Sequence, residues 1–174
     1  MNPTDAELVR AALLGDIDCF GELYSRYYRF AVSVARAKLL DMHLSEDIAQ
    51  ESFATASREL RKLQDPNRFG AWLRTIVRRA AARAKRKTIL HQQLELNQLP
   101  VGTCVSDAGR DQQREVKEAV AKLPVESREL IHLHYFAQLS YDEISQLLGL
   151  TPSAIHGRLQ RARRRLRELM RTST

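Results

Sequence analysis

Cysteine, glycine, proline and aromatic residues are all scarce in this sequence of 174 residues. It contains 2 cysteines, 7 glycines and 5 prolines, and aromatic side chains make up 6% of it. Cys19 lies in an apolar segment and Cys104 in a polar one, so the two thiols are too few and too differently placed to form a zinc site. No alternation of apolar and polar residues persists long enough to predict a strand, and the fold class that remains is all-α.

Long hydrophobic runs are also missing, and no catalytic group of residues stands out. The N-terminus, MNPTDAELVRAALLGD, has no basic region followed by a long apolar core, and no later run approaches the length of a bilayer span. We therefore expect a cytoplasmic protein without membrane insertion. Because paired carboxylates, a nucleophile with its base and a phosphate-binding glycine loop are all missing, we expect no enzyme, no metal and no cofactor.

The sequence has an excess of positive charge, and this charge is unevenly distributed. It carries 28 lysines and arginines against 21 acids, a formal charge of +7. One cationic cluster lies in residues 68–87, where no acid interrupts Arg68, Arg74, Arg78, Arg79, Arg83, Lys85, Arg86 and Lys87. A second cluster lies in residues 158–171. Two separate clusters predict a polyanion that is bound at two places.

The C-terminal segment predicts two helices joined by a tight turn. A capping box, a turn glycine, an N-cap threonine and a proline at the first helical position are all in register, namely Ser140 with Glu143, Gly149, Thr151 and Pro152. The second helix has an apolar stripe of Ile155, Leu159, Ala162, Leu166 and Leu169, and its remaining surface is basic. We favour a DNA-reading helix-turn-helix over a merely solvated basic face, because all of these signals occur together.

The first 90 residues predict a four-helix domain. Thr4 and Glu7 form a capping box for the first helix, and the second helix, from about residue 18 to 39, has one apolar side. Ser45 is predicted to cap the third helix. The fourth follows the proline turn QDPN and buries a stripe of Phe69, Trp72, Leu73, Ile76, Val77 and Ala80.

A linker and a second four-helix domain are predicted to follow. Residues 91–110 lose helical periodicity and collect Gln, Asn, Pro, Gly and Ser, which predicts a flexible linker. Residues 111–174 contain a helix at about 111–123, another that begins at Pro124, and the helix-turn-helix. The chain therefore predicts two small helical domains joined by a linker.

Three segments in this order resemble the pattern of the bacterial extracytoplasmic-function sigma factors, the two-domain members of the sigma-70 superfamily. They are DIAQESFATA, RFGAWLRTIVRR and LPVESRELIHLHYFAQLSYDEISQLLGLTPSAIHGRLQRARRRLREL. A helix-turn-helix alone is unspecific, whereas the ordered set covers nearly the whole chain. The resemblance implies an RNA polymerase sigma factor that directs promoter-specific transcription initiation.

The resemblance also implies the position of each interface. The third helix would bind core RNA polymerase through Asp47, Gln50, Glu51 and Phe53. The loop at residues 63–68, which in the family captures a flipped base, and the helix after it would open the minus-ten element through Asn67, Arg68, Trp72, Arg74, Arg78, Arg79, Arg83 and Arg86. The C-terminal domain would read the minus-thirty-five element through Thr151, Ser153, His156, Arg158, Gln160 and Arg161. Because Trp72 lies in the buried stripe, a core role competes there with base stacking.

Four residues depart from the family pattern: Arg79, Arg83, His156 and Gly157. The family often has Asn at the first, Asp or Asn at the second, Lys or Arg at the third and Ser at the fourth. No third-domain helices or C-terminal extension are found, so the resemblance implies regulation by an anti-sigma factor and a monomer when the protein is free.

A different class of function stays open at this point. An ordinary helix-turn-helix repressor or activator would have an N-terminal domain that dimerises or senses a ligand. It would bind a palindrome as a homodimer without polymerase, whereas a sigma factor would bind DNA poorly until polymerase is present.

Overall fold

The computed structural model of the chain describes residues 3–95 and 108–171, with side chains over residues 3–91 and 115–171. Eight α-helices and no strand occur in these ranges, which confirms the all-α prediction. The helices are α1 Asp5–Leu13, α2 Ile17–Leu39, α3 Met42–Glu59, α4 Phe69–Glu95, α5 Ala108–Ala121, α6 Val125–Ile131, α7 Tyr141–Leu148 and α8 Pro152–Arg171. Two short 3₁₀ turns, Leu60–Lys62 and Pro66–Arg68, precede α4, and a π-helical turn, His132–Phe136, extends α6.

The first two helices begin where the sequence predicts. In α1 the Thr4 side chain accepts a hydrogen bond from the Glu7 backbone N–H at 3.3 Å, and the Glu7 carboxylate accepts from the Thr4 backbone N–H at 2.7 Å. Asp16 caps α2 by accepting from the Cys19 backbone N–H at 3.0 Å. These local bonds satisfy N–H groups that a helix start leaves without partners.

The start of α3 differs from its prediction. Ser45 was expected to cap this helix, but Asp41 caps it, because the Asp41 carboxylate accepts from the Leu44 backbone N–H at 2.8 Å. Ser45 lies inside the first turn, where it is fully buried and its hydroxyl donates to the Asp41 carbonyl. Both residue types favour N-caps, so the residue type alone did not distinguish between them.

Helix α4 is longer than its prediction. It continues through residues 91–95, and α5 already begins at Ala108, so both ends of the predicted linker are helical. Gln, Leu and Glu are good helix formers, so the local sequence favours continuation of α4. The rest of the predicted linker, residues 96–107, lies outside the described residues.

The core of the molecule is continuous from the N-terminal half to the C-terminal half. Helix α2 packs against α1, α3 and α4, and its other contacts are with α6 and the π-helical turn. One cluster of buried side chains includes Phe30 and Phe69 from the first half and Leu130, Leu133 and Ile144 from the second. The two halves therefore lie against each other, with α2 and α4 between α3 and the helix-turn-helix.

Candidate nucleic-acid and polymerase interfaces

Helices α7 and α8 form the helix-turn-helix predicted from the sequence. The Glu143 carboxylate accepts hydrogen bonds from the Ser140 backbone N–H at 2.8 Å and from its hydroxyl at 2.6 Å, and these bonds lower the pKa of Glu143. Gly149 ends α7 in the left-handed conformation, with φ of 65°, which is the region that favours glycine. Thr151 caps α8, because its hydroxyl accepts from the Ala154 backbone N–H at 3.2 Å.

One side of α8 is buried and the opposite side is exposed. Ile155, Leu159 and Ala162 are at most 3% exposed and fix the helix against the rest of the C-terminal half. The side chains that the resemblance assigns to the minus-thirty-five element are all exposed, namely Thr151, Ser153, His156, Arg158, Gln160 and Arg161. The His156 ring meets the edge of Tyr141, with ring centroids 5.8 Å apart. The face that the resemblance assigns to base reading is therefore open to solvent along this helix.

Gly157 lies within this face, at a position where the family pattern has serine. A Cβ atom built on Gly157 would come no closer than 3.5 Å to a neighbour, the Arg161 guanidinium. This is an ordinary van der Waals distance, so nothing in the chain itself requires a glycine there.

The basic helix α4 presents two groups of cations. Phe69, Leu73, Val77 and Ala80 are buried, and Arg79, Arg83 and Arg86 on other sides of the helix are exposed. Arg74 and Arg78 lie instead at the boundary with the C-terminal half. Arg74 donates to both carboxylate oxygens of Glu129, with Nε–Oε1 at 2.6 Å and Nη2–Oε2 at 3.0 Å, and Arg78 Nη1 lies 3.9 Å from Oε2.

The loop before α4 is ordered by Asp65. Its carboxylate accepts from both the backbone N–H and the side-chain amide of Asn67, each at 3.0 Å. Asn67 and Arg68 are exposed at the end of this loop. The side-chain nitrogen of Asn67 is therefore held by Asp65, and its side-chain oxygen remains a hydrogen-bond acceptor.

A depression of about 340 Å³ lies between this loop and the first turn of α4. Its lining consists of Lys62, Leu63, Gln64, Asp65, Arg68, Ala71 and Trp72. Trp72 is partly buried, with its ring centroid 6.1 Å from that of Phe69. Trp72 therefore packs against the core with one part and lines the depression with another, so both roles considered for it from the sequence are compatible with its position.

The polar face of α3 is exposed at Asp47, Gln50 and Glu51. Phe53, which the resemblance placed with these residues, is only 2% exposed and packs on Tyr24 with ring centroids 4.6 Å apart. Phe53 therefore supports α3 from inside and is not part of its exposed face. Arg83 of α4 lies 3.8 Å from Glu51, so the α3 face and the cationic surface of α4 adjoin.

The family models match both halves of the chain in order. The model described as Sigma-70 region 2 matches residues 23–88, and the model described as Sigma-70, region 4 matches residues 113–166. The RNA polymerase sigma factor CnrH of Cupriavidus metallidurans is 30% identical over 185 residues, covering 98% of this chain and 97% of CnrH. This chain belongs to the extracytoplasmic-function sigma factors.

Other relatives and solved structures agree with this membership. The extracytoplasmic-function sigma factor SigM of Bacillus subtilis is 29% identical, with 85% of this chain and 93% of SigM covered. A probable RNA polymerase sigma factor of Xanthomonas campestris, RfaY, is 31% identical, and this chain spans 42% of its length.

Two solved structures share the fold of this sigma factor. CnrH in complex with the cytosolic domain of CnrY matches with a TM-score of 0.66 and 27% identity, covering 98% of this chain and 99% of that one. The Bartonella quintana sigma factor RpoE in complex with the anti-sigma factor NepR matches with a TM-score of 0.57 and 23% identity, covering 89% of this chain and 98% of that one.

Two residues of this sigma factor contact proposed DNA-binding side chains but were not singled out from the sequence. Asp65 fixes the loop, and its Asp-Pro-Asn setting is a turn signal that could have identified it. Glu129 pairs with Arg74 across 55 positions of sequence, and no local pattern signals such a pair.

Within the described residues of this sigma factor, no helix is both long and apolar enough to cross a bilayer. Over the same residues, no three His, Cys, Asp or Glu side chains are grouped as a metal site requires.

Proposed function

We propose that this chain is the promoter-specificity subunit of RNA polymerase, which binds core polymerase, opens the minus-ten element and reads the minus-thirty-five element. One observation supports the proposal: the same chain has two separate exposed cationic surfaces of different shape. One is the exposed basic face of α8 in a helix-turn-helix, and the other is the depression at residues 62–72 beside the exposed cations of α4. A repressor needs only the first of these surfaces.

Core polymerase binds the exposed face of α3 in this proposal. Asp47, Gln50 and Glu51 project from a helix whose opposite side is anchored by Ile48, Ala49, Ser52, Phe53 and Ala56, all of which are buried. A rigid helix with an exposed acidic and amide face is suited to a partner surface that is basic and polar.

The minus-ten element is opened at the depression. Extruding a base costs a few kcal/mol, so the protein must offer a pocket for the base and cations for the backbone. The Asn67 amide and the Arg68 guanidinium can hydrogen-bond the base, and Trp72 lines the floor on which it would stack. Arg79, Arg83 and Arg86 are exposed along α4, where they can contact the phosphates of the separated strand.

The minus-thirty-five element is read by α8. Side chains near the start of a recognition helix reach base edges, and Ser153, His156, Arg158 and Arg161 occupy those positions. Thr151, the N-cap residue, and Gln160 are also exposed and complete the set assigned to this element. Arg163, Arg164 and Arg165 come later on the helix, where it leaves the groove and meets phosphates.

Regulation by an anti-sigma factor completes the proposal. One of the structures with this fold is a sigma factor bound to the anti-sigma factor NepR. Because core polymerase and promoter DNA are both in the bacterial cytoplasm, the chain acts there, as a monomer until it meets polymerase.

The test is reconstitution of the chain with core polymerase on genomic DNA, followed by mapping of transcript starts. We expect starts at a discrete set of promoters that share two elements. A matched pair of variants tests the docking face: Asp47→Lys with Glu51→Lys should abolish co-purification with core polymerase, whereas Glu126→Lys, on the exposed surface of α6, should not. Specific binding of a palindrome by a homodimer, without transcription, would contradict the proposal and favour a repressor.

A further inference from the structure

The packing of the two halves places an acidic side chain from one half among the cations of the other. Glu129 is on α6 and its side chain is 3% exposed, whereas Arg74 and Arg78 are on α4 with side chains 24% and 41% exposed. The contact with Arg74 is bidentate, the geometry in which an arginine binds a carboxylate or a phosphate most strongly. The carboxylate thus occupies the two N–H groups of Arg74 with which the arginine could otherwise bind a phosphate.

Several other contacts fix this arrangement. Arg29 of α2 donates to the Phe136 carbonyl, and the Ser33 hydroxyl donates to the His132 carbonyl at 3.3 Å. The Arg29 and Arg36 guanidinium carbons lie 5.7 and 5.4 Å from the centre of the Phe136 ring, which is within the range of cation–π attraction. The π-helical turn is therefore bound by α2 at both its ends.

The helix-turn-helix also covers the base of the minus-ten loop. Gly70 follows this loop by two residues, and a Cβ atom built there would lie 2.4 Å from Leu147 Cδ2. A cavity of about 420 Å³ between the halves is lined by Asn67 and Arg68 on one side and by Glu143 and Gln146 on the other. A single strand that follows Arg68, Arg74 and Arg78 along this side of α4 would meet α6 and α7.

We propose that this packing is a closed state of the free protein, in which Glu129 is an internal competitor for the phosphates of minus-ten DNA. The inference rests on the proposed function of Arg74 and Arg78. Arg74 cannot bind a phosphate through the two N–H groups that the carboxylate occupies, and the carboxylate also offsets the charge of the nearby Arg78, so DNA binding and closure oppose each other. Single-stranded DNA then has a lower apparent affinity for the free chain, in proportion to the fraction of open molecules.

The experiment compares Glu129→Gln with Glu126→Gln in the full chain. Both variants remove one negative charge from α6, but Glu126 is exposed and Glu129 is buried against Arg74. Small-angle scattering measures compactness, and fluorescence anisotropy with a labelled single-stranded oligonucleotide measures affinity. A compact chain of this length has a radius of gyration of about 16 Å. We expect Glu129→Gln to increase that radius and to bind the oligonucleotide about tenfold more tightly, with Glu126→Gln close to the wild type.

A second variant, Arg29→Ala, tests the inference independently in case Glu129→Gln does not fold. Arg29→Ala removes the bond to the Phe136 carbonyl from an exposed position, and it also removes a cation. Losing a cation should weaken oligonucleotide binding, so tighter binding by Arg29→Ala would come from separation of the two halves. We expect this tighter binding, with a helix content by circular dichroism that equals that of the wild type.

Three results would overturn the inference. They are a wild-type chain that is already expanded, a Glu129→Gln chain that stays compact with wild-type affinity, and expansion without tighter oligonucleotide binding. Failure of the proposed function is distinguishable, because it would appear as a wild-type chain that starts no transcripts with core polymerase.

Discussion

Helices α4 and α8 are both rich in arginine, with five in 27 residues and seven in 20, but they differ in what those arginines contact. On α4, Arg74 and Arg78 lie against Glu129, and Arg83 lies 3.8 Å from Glu51. On α8, Arg158 and Arg161 are exposed at the positions expected to face base edges. Whether a cation is available to DNA is therefore a property of the packed molecule, and a charge run in the sequence does not reveal it.

The two helices also differ in the shape of the surface beside them. The face of α8 is convex and can enter a major groove as it stands. The start of α4 lies beside a depression and a fixed loop, which suits a base already removed from the duplex. In the proposed function, α8 therefore reads the duplex and α4 takes part in strand opening. The predictions below test this division, from the largest expected effect to the smallest.

The largest effect is expected from Asn67→Ala combined with Arg68→Ala. Because capture of the flipped base offsets its extrusion, losing both side chains should slow promoter opening roughly hundredfold on duplex DNA. Permanganate footprinting over time measures opening, and pre-melted bubble templates provide the control on which transcription should persist. Equal losses on duplex and bubble templates would break the division between the two helices.

Arg161→Ala should have the next largest effect and should act on sequence preference. Loss of a base contact should cost about 2 kcal/mol at the preferred minus-thirty-five element and relax the preference at one or two positions. Binding-site selection with reconstituted holoenzyme measures the preference, with His156→Ala tested in parallel. Unchanged preferences in both variants would show that α8 does not read the element through this face.

A smaller effect concerns the pH dependence of folding stability. Burial, with Arg36 and Arg128 nearby, lowers the pKa of His132 from 6.5 to about 4. Below pH 6.5 the unfolded chain binds a proton at this ring while the folded chain does not, so stability falls as the pH falls. Between pH 7 and 5.5 the loss should be about 1 kcal/mol in urea unfolding.

A His132→Gln variant should lose correspondingly less over the same pH interval. The interval lies above the range in which ordinary carboxylates titrate, so their contribution to the difference is small. The same slope in both proteins would show that other groups dominate. Since His132 lies in the turn that packs on α2, the measurement also reports on the contact between the two halves of the molecule.

The smallest effect is expected on the salt dependence of DNA binding when single arginines of α8 and α4 are replaced. Arg164→Ala should weaken binding of all duplex sequences alike and reduce the slope of log affinity against log salt by about one. Arg74→Ala in the free chain should reduce the slope for a single-stranded oligonucleotide by less, because Arg74 is already paired with Glu129. Filter binding across a salt series measures both, and equal reductions would contradict that pairing in solution.

The features that the sequence predicted well are those that depend on neighbouring residues. The capping box at Ser140 and Glu143, the glycine that ends α7 and the N-cap at Thr151 all formed as expected, because each involves side chains within four positions of a helix end. Four of the six residues predicted for the buried stripe of α4 are buried, namely Phe69, Leu73, Val77 and Ala80, since helical periodicity identifies them without knowledge of what packs against the helix. Trp72 and Ile76 are only partly buried.

Some features were not predicted, either because two residues suit the same position equally well or because they depend on contacts between residues far apart in the sequence. Asp41 and Ser45 are both good N-caps, and the packing of α3 on α2 selects the first. Helical periodicity places Phe53 on the buried side of α3, where it lies, whereas the family resemblance placed it on the polymerase-binding face. The pairing of Arg74 with Glu129 arises only when the two halves meet, and no local pattern indicates a pair 55 positions apart.

The π-helical turn His132–Phe136 determines how α7 and α8 are rotated about the axis of α6. A π-helical turn accommodates one residue more than the α-helical turn it replaces, as its wider hydrogen-bonding pattern requires: the Ala137 N–H bonds the His132 carbonyl at 3.0 Å. Each residue of a helix advances the chain by about 100° around the axis. Deletion of one residue here would therefore leave a regular helix but rotate α7 and α8 by about a quarter turn, so this short segment tolerates substitution far better than a change in length.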